Sequence, residues 1–349
     1  MELTKCKLGE LITQRREKND GSDLPICGVS KDGLIPPKQI DADTSIYNVF
    51  YRDDFIFNPA RMELNSIAIN DRYDRAICSS LYEVFFVHRT DLLLPHFLKL
   101  IVKQPWFTRY CEFLGQGSAR EYCRFNNISE IEIEFPSVEE QQKIVDYYTV
   151  IQKRIEIKKQ INDNLEAQAL AYYKLTVNNC SENDIVEGTV GDIGEFVRGK
   201  NITAAEMVEG TIPVISAGLS PSGMHNAYNV KGPSITVSGS GVNAGYVSFH
   251  QNDIWAADCS YNNSSEFIYC LFVILKDIQS QITELQKGTA QPHVYPKELN
   301  PFAIKYPQKS ILMKMEESFK AFFTTIEENN SEIKALQEVQ AHFLSLLSR

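Results

Sequence analysis

The sequence predicts an α+β protein: two similar mixed α/β domains separated by two long antiparallel helices that form a coiled-coil spacer, an internal repeat with pseudo-two-fold symmetry. Three observations predict it. A shift of 171 lays Gly117–Pro136 on Gly288–Pro307 without a gap. Two segments free of glycine and proline carry apolar residues at 4-3 spacing, and runs of strand-forming residues precede each of them. The expected boundaries are 1–136 and 179–307 for the mixed domains, and 137–178 and 308–349 for the helices.

In the matched block Gly117 meets Gly288, Ala119 meets Ala290, Ile133 meets Ile304 and Pro136 meets Pro307. The same offset continues through Lys143 and Lys314, Ile155 and Ile326, Leu165 and Leu336. Upstream it drifts to about 181, where Tyr47–Val49 recurs at Tyr228–Val230 and Leu8–Leu11 resembles Val190–Ile193. Any two amphipathic helices can be slid into register, but that does not produce a shared glycine, alternation and proline at one offset.

Each copy opens with strands. Ile128–Phe135 alternates with period two and reads as a half-buried strand, and Ser234–Gly241 and Ala244–Phe249 read as strands joined by a glycine turn. The first helix follows Pro136, with Ser137 as cap and Glu140 three residues on. Its seam is Ile144, Tyr148, Ile151, Ile155, Lys158, Asn162, Leu165, Ala169 and Tyr172. The second seam is Met315, Phe319, Phe322, Ile326, Asn329, Ile333, Leu336, Gln340 and Phe343. Spacing of 3.5 residues suits a helical partner, and the polar residues at matching sites, Lys158 and Asn329, are expected to fix its register. From Ser137 to Leu175 such a helix is about 58 Å long. Tyr147, Tyr173 and Phe323 fall off the seam, where they either face a partner or pack on the mixed domains.

A chain of 349 residues, 43% hydrophobic and 23% charged, suits two soluble globular domains. Met1–Lys5 lacks the apolar core of a signal peptide, and the longest apolar run, Leu92–Val102, contains Pro95, His96 and Lys99. A cytoplasmic location without membrane contact is therefore expected. Eight cysteines without a C-x-x-C pair read as reduced thiols, and six dispersed histidines form no zinc-type cluster. The net charge of −10 opposes nucleic-acid binding, yet ten of the thirteen arginines precede residue 125.

Catalytic signatures are weak. Gly194–Asn201 comes within one residue of a phosphate-binding loop, but Asn201 replaces the magnesium-binding hydroxyl and no βαβ unit follows. Asn58-Pro59-Ala60-Arg61 lacks the second proline and the aromatic of the amino-methyltransferase loop. No Ser/His/Asp set can be assembled from scattered histidines. A large chain of this kind is expected to bind rather than react.

The order strand, Pro136, Glu139-Glu140-Gln141-Gln142-Lys143-Ile144, long helix resembles the specificity subunits of type I restriction-modification systems, as does Gly117–Arg120 with its counterpart Gly288–Gln291. The resemblance covers the whole chain, although the second helix lacks the Glu-Glu-Gln-Gln element. It implies a non-catalytic subunit in which two target recognition domains each read half of a bipartite site on double-stranded DNA. It further implies that the helices set the spacing and dock two methyltransferase subunits, and that restriction subunits then join. S-adenosylmethionine, ATP and magnesium would belong to those partners, and this chain would hold no cofactor or metal.

Base reading needs guanidinium or amide forks and phosphate contact needs cations. The candidates are Arg61, Arg72, Arg75, Arg120 and Arg124 in the first domain. In the second they are Lys231, Ser240, Asn243, Tyr261, Asn262, Asn263, Lys287, Gln291 and His293. Two-fold-related readers are expected to meet half-sites about one helical turn apart on one face of the duplex. Two other readings fit the same residues: a scaffold joining protein partners without touching DNA, and a methyltransferase or nuclease with unrecognised motifs.

Overall fold

The computed structural model describes residues 3–37, 39–40, 43–115, 122–287 and 292–346. The chain divides into two compact units, Met1–Ile155 with Ala335–Arg349, and Glu156–Lys334. Each unit therefore takes a share of both long helices.

Unit 1 runs through β1 (Thr4–Lys7), β2 (Ile12–Arg15), β3 (Ile26–Ser30), β4 (Gly33–Ile35), β5 (Asn48–Tyr51), β6 (Phe55–Phe57), β7 (Ile67–Ile69), β8 (Arg75–Cys78) and β9 (Glu83–Val87). Helices α1 (Pro95–Val102), α2 (Pro105–Gly115) and α3 (Phe125–Ser129), strand β10 (Glu132–Phe135) and the start of α4 (Val138–Asn179) complete it. Its sheets are β2-β9-β6-β7 and β4-β3-β8-β5, and a separate antiparallel pair joins β1 to β10. Strand β6 lies between two cores. The period of two sends Phe55 and Phe57 toward α1 and α2, and Ile56 toward Cys27, Val29 and Phe50. Phe55 is the register partner of Phe85 and stacks on it at 5.0 Å. Burying each such ring contributes about 1.5–3 kcal/mol.

Unit 2 repeats that plan with β11 (Ile185–Thr189), α5 (Val190–Ile193), β12 (Val197–Arg198), β13 (Ile212–Ile215), β14 (Gly223–His225), β15 (Ser234–Ser238), β16 (Val247–His250), β17 (Trp255–Ala256) and β18 (Cys259–Asn262). Helices α6 (Ile268–Asp277), α7 (Gln279–Glu284) and α8 (Pro296–Leu299), strand β19 (Ala303–Pro307) and α9 (Lys309–Leu346) follow. The sheet β12-β18-β15-β16 matches β2-β9-β6-β7, β14-β13-β17 matches β4-β3-β8, and β11-β19 matches β1-β10. Even the parallel pair recurs, β13 with β17 as β3 with β8. The counterpart of β5 has shrunk to a bridge between Val230 and Ile254. The duplication seen in the sequence is thus a duplication of topology.

The alternating stretch before the first long helix is only half strand. Phe125–Ser129 is a short helix, because Asn127 Oδ1 accepts from Arg124 N at 2.9 Å and Ser129 Oγ donates to Phe125 O at 2.9 Å. In unit 2 the turn after β15 needs its glycines: Gly241 and Gly245 have φ of 73° and 85°.

Helix α4 has 42 residues, about 63 Å at the usual rise, and α9 has 38. Ser137 accepts from Glu140 N and Gln141 N at the start of α4. Within unit 2 the helices run antiparallel, with Tyr172 against Phe319 and Asn162 against Asn329 and Asn330. Within unit 1 Gln340 Nε2 donates to Gln152 Oε1 at 2.8 Å. Ile155, Met315, Phe319, Ile326, Asn329 and Ile333 are buried along the seam. Ile144, Tyr148, Ile151, Lys158, Leu165, Phe322, Leu336 and Phe343 are half-buried there.

Tyr172 meets the Phe319 ring edge-on at 5.8 Å although it is 38% exposed, and Tyr173 beside it is buried. Tyr173 joins the buried line after Ala169 because 3.6 residues per turn drift from a 3.5 repeat where the helix packs on a domain core. Tyr173 and Phe323 belong to that core, together with α6. Of the three off-seam aromatics only Tyr147 faces outward.

Candidate nucleic-acid interface

Unit 1 carries a cleft of about 1180 Å³. The β3–β4 hairpin, the 3-10 turn Pro59–Leu64, the segment before β9 and the Tyr122–Arg124 segment form its walls. Asn58 starts that turn by accepting from Ala60 N at 3.1 Å, so Asn58–Arg61 is a capped turn. Arg61, Arg124 and Lys31 line the cleft, and Arg61 and Lys31 form no ion pair among the described residues. Arg124 Nη1 lies 3.2 Å from Glu83 Oε1, and its guanidinium sits 5.3 Å from the Tyr122 ring centre.

Sequence reasoning missed what lies beneath. Lys103 Nζ donates to Lys31 O at 2.7 Å, Asn65 Oδ1 at 2.9 Å and Ile67 O at 2.8 Å. Burial among neutral acceptors pulls its pKa down to about 8. It is a strut under the cleft, and its position after an apolar run gave no hint of that.

The other unit 1 candidates do not join this group. Arg72 is exposed, and its carbonyl accepts from Arg52. Arg75 is a correction: it is held by Asp20 at 3.3 Å and Glu17 at 3.5 Å, with its Nε buried, so it braces the domain. The Ser22 hydroxyl and amide, then Arg75, hold Asp20 down at about 2. Arg120 lies outside the described residues.

Unit 2 brings Ser240, Lys287 and His293 together. His293 bridges both others through its backbone and stacks on Tyr295 at 4.7 Å. Ser240 Oγ donates to Asp258 Oδ2 at 2.5 Å, and Lys287 Nζ lies 3.5 Å from Glu298. Arg198, which the sequence did not single out, pairs with Asp258 and lies 4.4 Å from the Tyr295 ring centre. Asn243 ends the 3-10 turn Gly241–Asn243 beside this cluster.

Asn262 is the second correction. It is buried, its Nδ2 donates to Glu195 O at 2.8 Å and its Oδ1 accepts from Ser265 N, so it fastens a turn and cannot face a base. Tyr261 packs half-buried against the small core of β17. Asn263 donates to the Lys231 carbonyl at 3.2 Å, and both residues are exposed. Gln291 lies outside the described residues.

The segment resembling a phosphate loop is strand β12 and its flanks. A Cβ on Gly199 would come within 2.4 Å of Ala257 O, so packing requires this glycine. Among the described residues no His/Cys/Asp/Glu group could hold a metal, and no helix is long and apolar enough to cross a membrane.

The family model for the type I restriction modification DNA specificity domain matches residues 39–167 and again 182–338. The specificity subunit of type I restriction enzyme MjaIX from Methanocaldococcus jannaschii is 24% identical over 301 residues, 74% of this chain and 69% of that protein. The HindI specificity subunit from Haemophilus influenzae is 31% identical over 86 residues, 24% of this chain and 19% of that protein. The crystal structure of a type I restriction-modification S subunit from M. genitalium has the same fold, with a TM-score of 0.68, 17% identity and coverage of 99% of this chain and 96% of that one. With this match over both repeats and the duplicated topology, the chain belongs to the DNA specificity family of type I restriction-modification systems, whose members are non-catalytic specificity subunits.

Proposed function

We propose that each unit reads one half of a bipartite site on double-stranded DNA, with α4 and α9 fixing the untouched spacer. The observation that carries this reading is one strand order bearing two different polar surfaces. Arg61, Arg124 and Lys31 line the cleft of unit 1, while Ser240, His293, Lys287 and Arg198 cluster in unit 2. A shared frame presents donors at similar places, and different side chains select different bases. Arg72, Lys231, Asn243, Tyr261 and Asn263 are proposed as flanking contacts.

Two methyltransferase subunits are proposed to dock along the helices and restriction subunits to join them. Exposed Tyr147, Val150, Ile157 and Ile161 recur on α4 at spacings that suit a partner helix. S-adenosylmethionine, ATP and magnesium belong to those partners in this reading.

The test mixes the purified chain, its methyltransferase partner and a randomised duplex pool. Enrichment of a split motif, only with the partner present and falling steeply with salt, is the expected result. Enrichment of no motif favours a protein scaffold, in line with the net charge of −10. DNA methylation or cutting by the chain alone would make it an enzyme.

A further inference from the structure

Both units assemble a guanidinium, a carboxylate and a tyrosine ring near the start of matched strands, from different chain positions. In unit 1 the groups are Arg124, Glu83 and the Tyr122 ring. In unit 2 they are Arg198, Asp258 and the Tyr295 ring. The shift of 171 that aligns the repeats puts Tyr122 on His293 and Arg124 on Tyr295. Those two segments dock alike: Cys123 N donates to Pro59 O at 3.0 Å, and Val294 N to Gly239 O at 3.2 Å. The acid stands at the same strand in each unit, Glu83 opening β9 and Asp258 just before β18.

The guanidinium has changed its origin. Where unit 1 has Arg124, unit 2 has a tyrosine, and the cation arrives from β12 instead. Gly239 leaves room for it, since a Cβ there would come within 2.3 Å of Arg198 Nη1. In each pair the carboxylate is the more buried partner, Glu83 at 14% and Asp258 at 27%, while the Arg124 and Arg198 side chains reach the surface at 64% and 36%.

We infer that Arg198 is a specificity-determining residue of unit 2, reading two adjacent acceptors on a base edge such as guanine presents in the major groove. This rests on the half-site reading above. The arginine fork matches such an acceptor pair. Asp258 and Tyr295 hold the guanidinium before DNA arrives, which lowers the entropy lost on binding. Asp258 also cancels its charge, so the residue is better suited to a base edge than to a phosphate. Arg124 fills the same role in unit 1, with Glu83 and Tyr122 as its holders.

The test uses the full chain assembled with its methyltransferase partner and a randomised duplex pool. Arg198→Ala and Arg198→Lys are each expected to lose preference at one base pair of one half-site by about tenfold or more. The other half-site is expected to stay unchanged, and so is the slope of log affinity against log salt in Arg198→Lys, which keeps the charge. Asp258→Asn, which uncovers the positive charge, is expected to steepen that slope by about one. Arg198→Lys carries the test if the alanine variant does not fold. A slope reduced by about one in Arg198→Ala, with the motif intact, would make Arg198 a phosphate contact and overturn the assignment. A wild-type motif untouched by either Arg198 variant overturns it too. A wild-type assembly that enriches no motif overturns the half-site reading and this assignment with it.

Discussion

Lys158 Nζ donates to Asn329 Oδ1 at 2.8 Å, and these two residues are each other's counterparts in the repeat, 171 positions apart. Lys158 also reaches Glu332 at 2.7 Å, and Asn329 Nδ2 donates to Asn162 Oδ1 at 2.8 Å. Asn162 and Asn329 are 8% and 7% exposed, so the network is drawn from within the seam. A fully partnered polar network makes alternative registers costly, because a slip would leave buried amides without partners.

The first prediction follows from that asymmetry. Lys158→Met alone strands Asn329 Oδ1, and it is expected to lower stability by about 1–3 kcal/mol in urea unfolding. Lys158→Met combined with Asn162→Leu and Asn329→Leu is expected to recover much of that loss, because apolar replacements leave no amide stranded. A triple variant less stable than the single would show that the network stabilises the pair outright.

Gln141 is the buried member of the Glu-Glu-Gln-Gln element that opens the first helix. It is fully buried, donates to Leu92 O at 2.7 Å and Pro136 O at 2.8 Å, and accepts from Leu94 N at 2.8 Å. It thereby clamps the start of α4 to the start of α1. Its repeat counterpart is the apolar Leu312, and Glu316, one turn on, accepts from Tyr269 N and Cys270 N instead. Gln141→Leu is expected to cost about 3 kcal/mol by leaving three backbone groups unpaired. A denaturation midpoint unchanged from wild type would contradict the clamp.

How much of this was legible in the sequence depended on the range of the contact. The seam from Ile144 to Ala169 could be read because helix periodicity is local. Tyr173 could not, since its burial depends on the core that α6 and α9 close around it. Arg75 and Asn262 looked like free polar side chains in turns, and their partners Asp20 and Glu195 lie 55 and 67 residues away. Arg198, Asp258 and Tyr295 were missed for the same reason. Each is unremarkable locally, and only the fold makes them neighbours.

Acid should weaken unit 2. Burial pulls the His250 pKa down to about 4, and its Nε2 lies 2.8 Å from Thr236 Oγ1. The unfolded chain, with a histidine near 6.5, takes up the proton first. Stability present above pH 6.5 is therefore lost as pH falls toward 4, by at most about 3 kcal/mol. His250→Gln is expected to flatten that part of the curve, measured by urea midpoints at each pH. An equal slope in the variant would assign the acid sensitivity elsewhere.

The helices as rulers make a geometric prediction. Inserting seven residues into both α4 and α9, in the paired stretch, preserves the heptad seam and adds about 10 Å of helix. The spacer of the enriched motif is expected to lengthen by about three base pairs, at 3.4 Å each. A fixed spacer in a folded, DNA-binding variant would mean that the helices do not set the distance.

The most direct measurement is a map of methylated bases in host DNA, with the wild-type chain and with Lys31→Ala combined with Arg61→Ala. A split motif with a constant gap is expected, and in the variant a change at one end only. A contiguous motif, or both ends changing together, would contradict the claim that each unit reads its own half of the site.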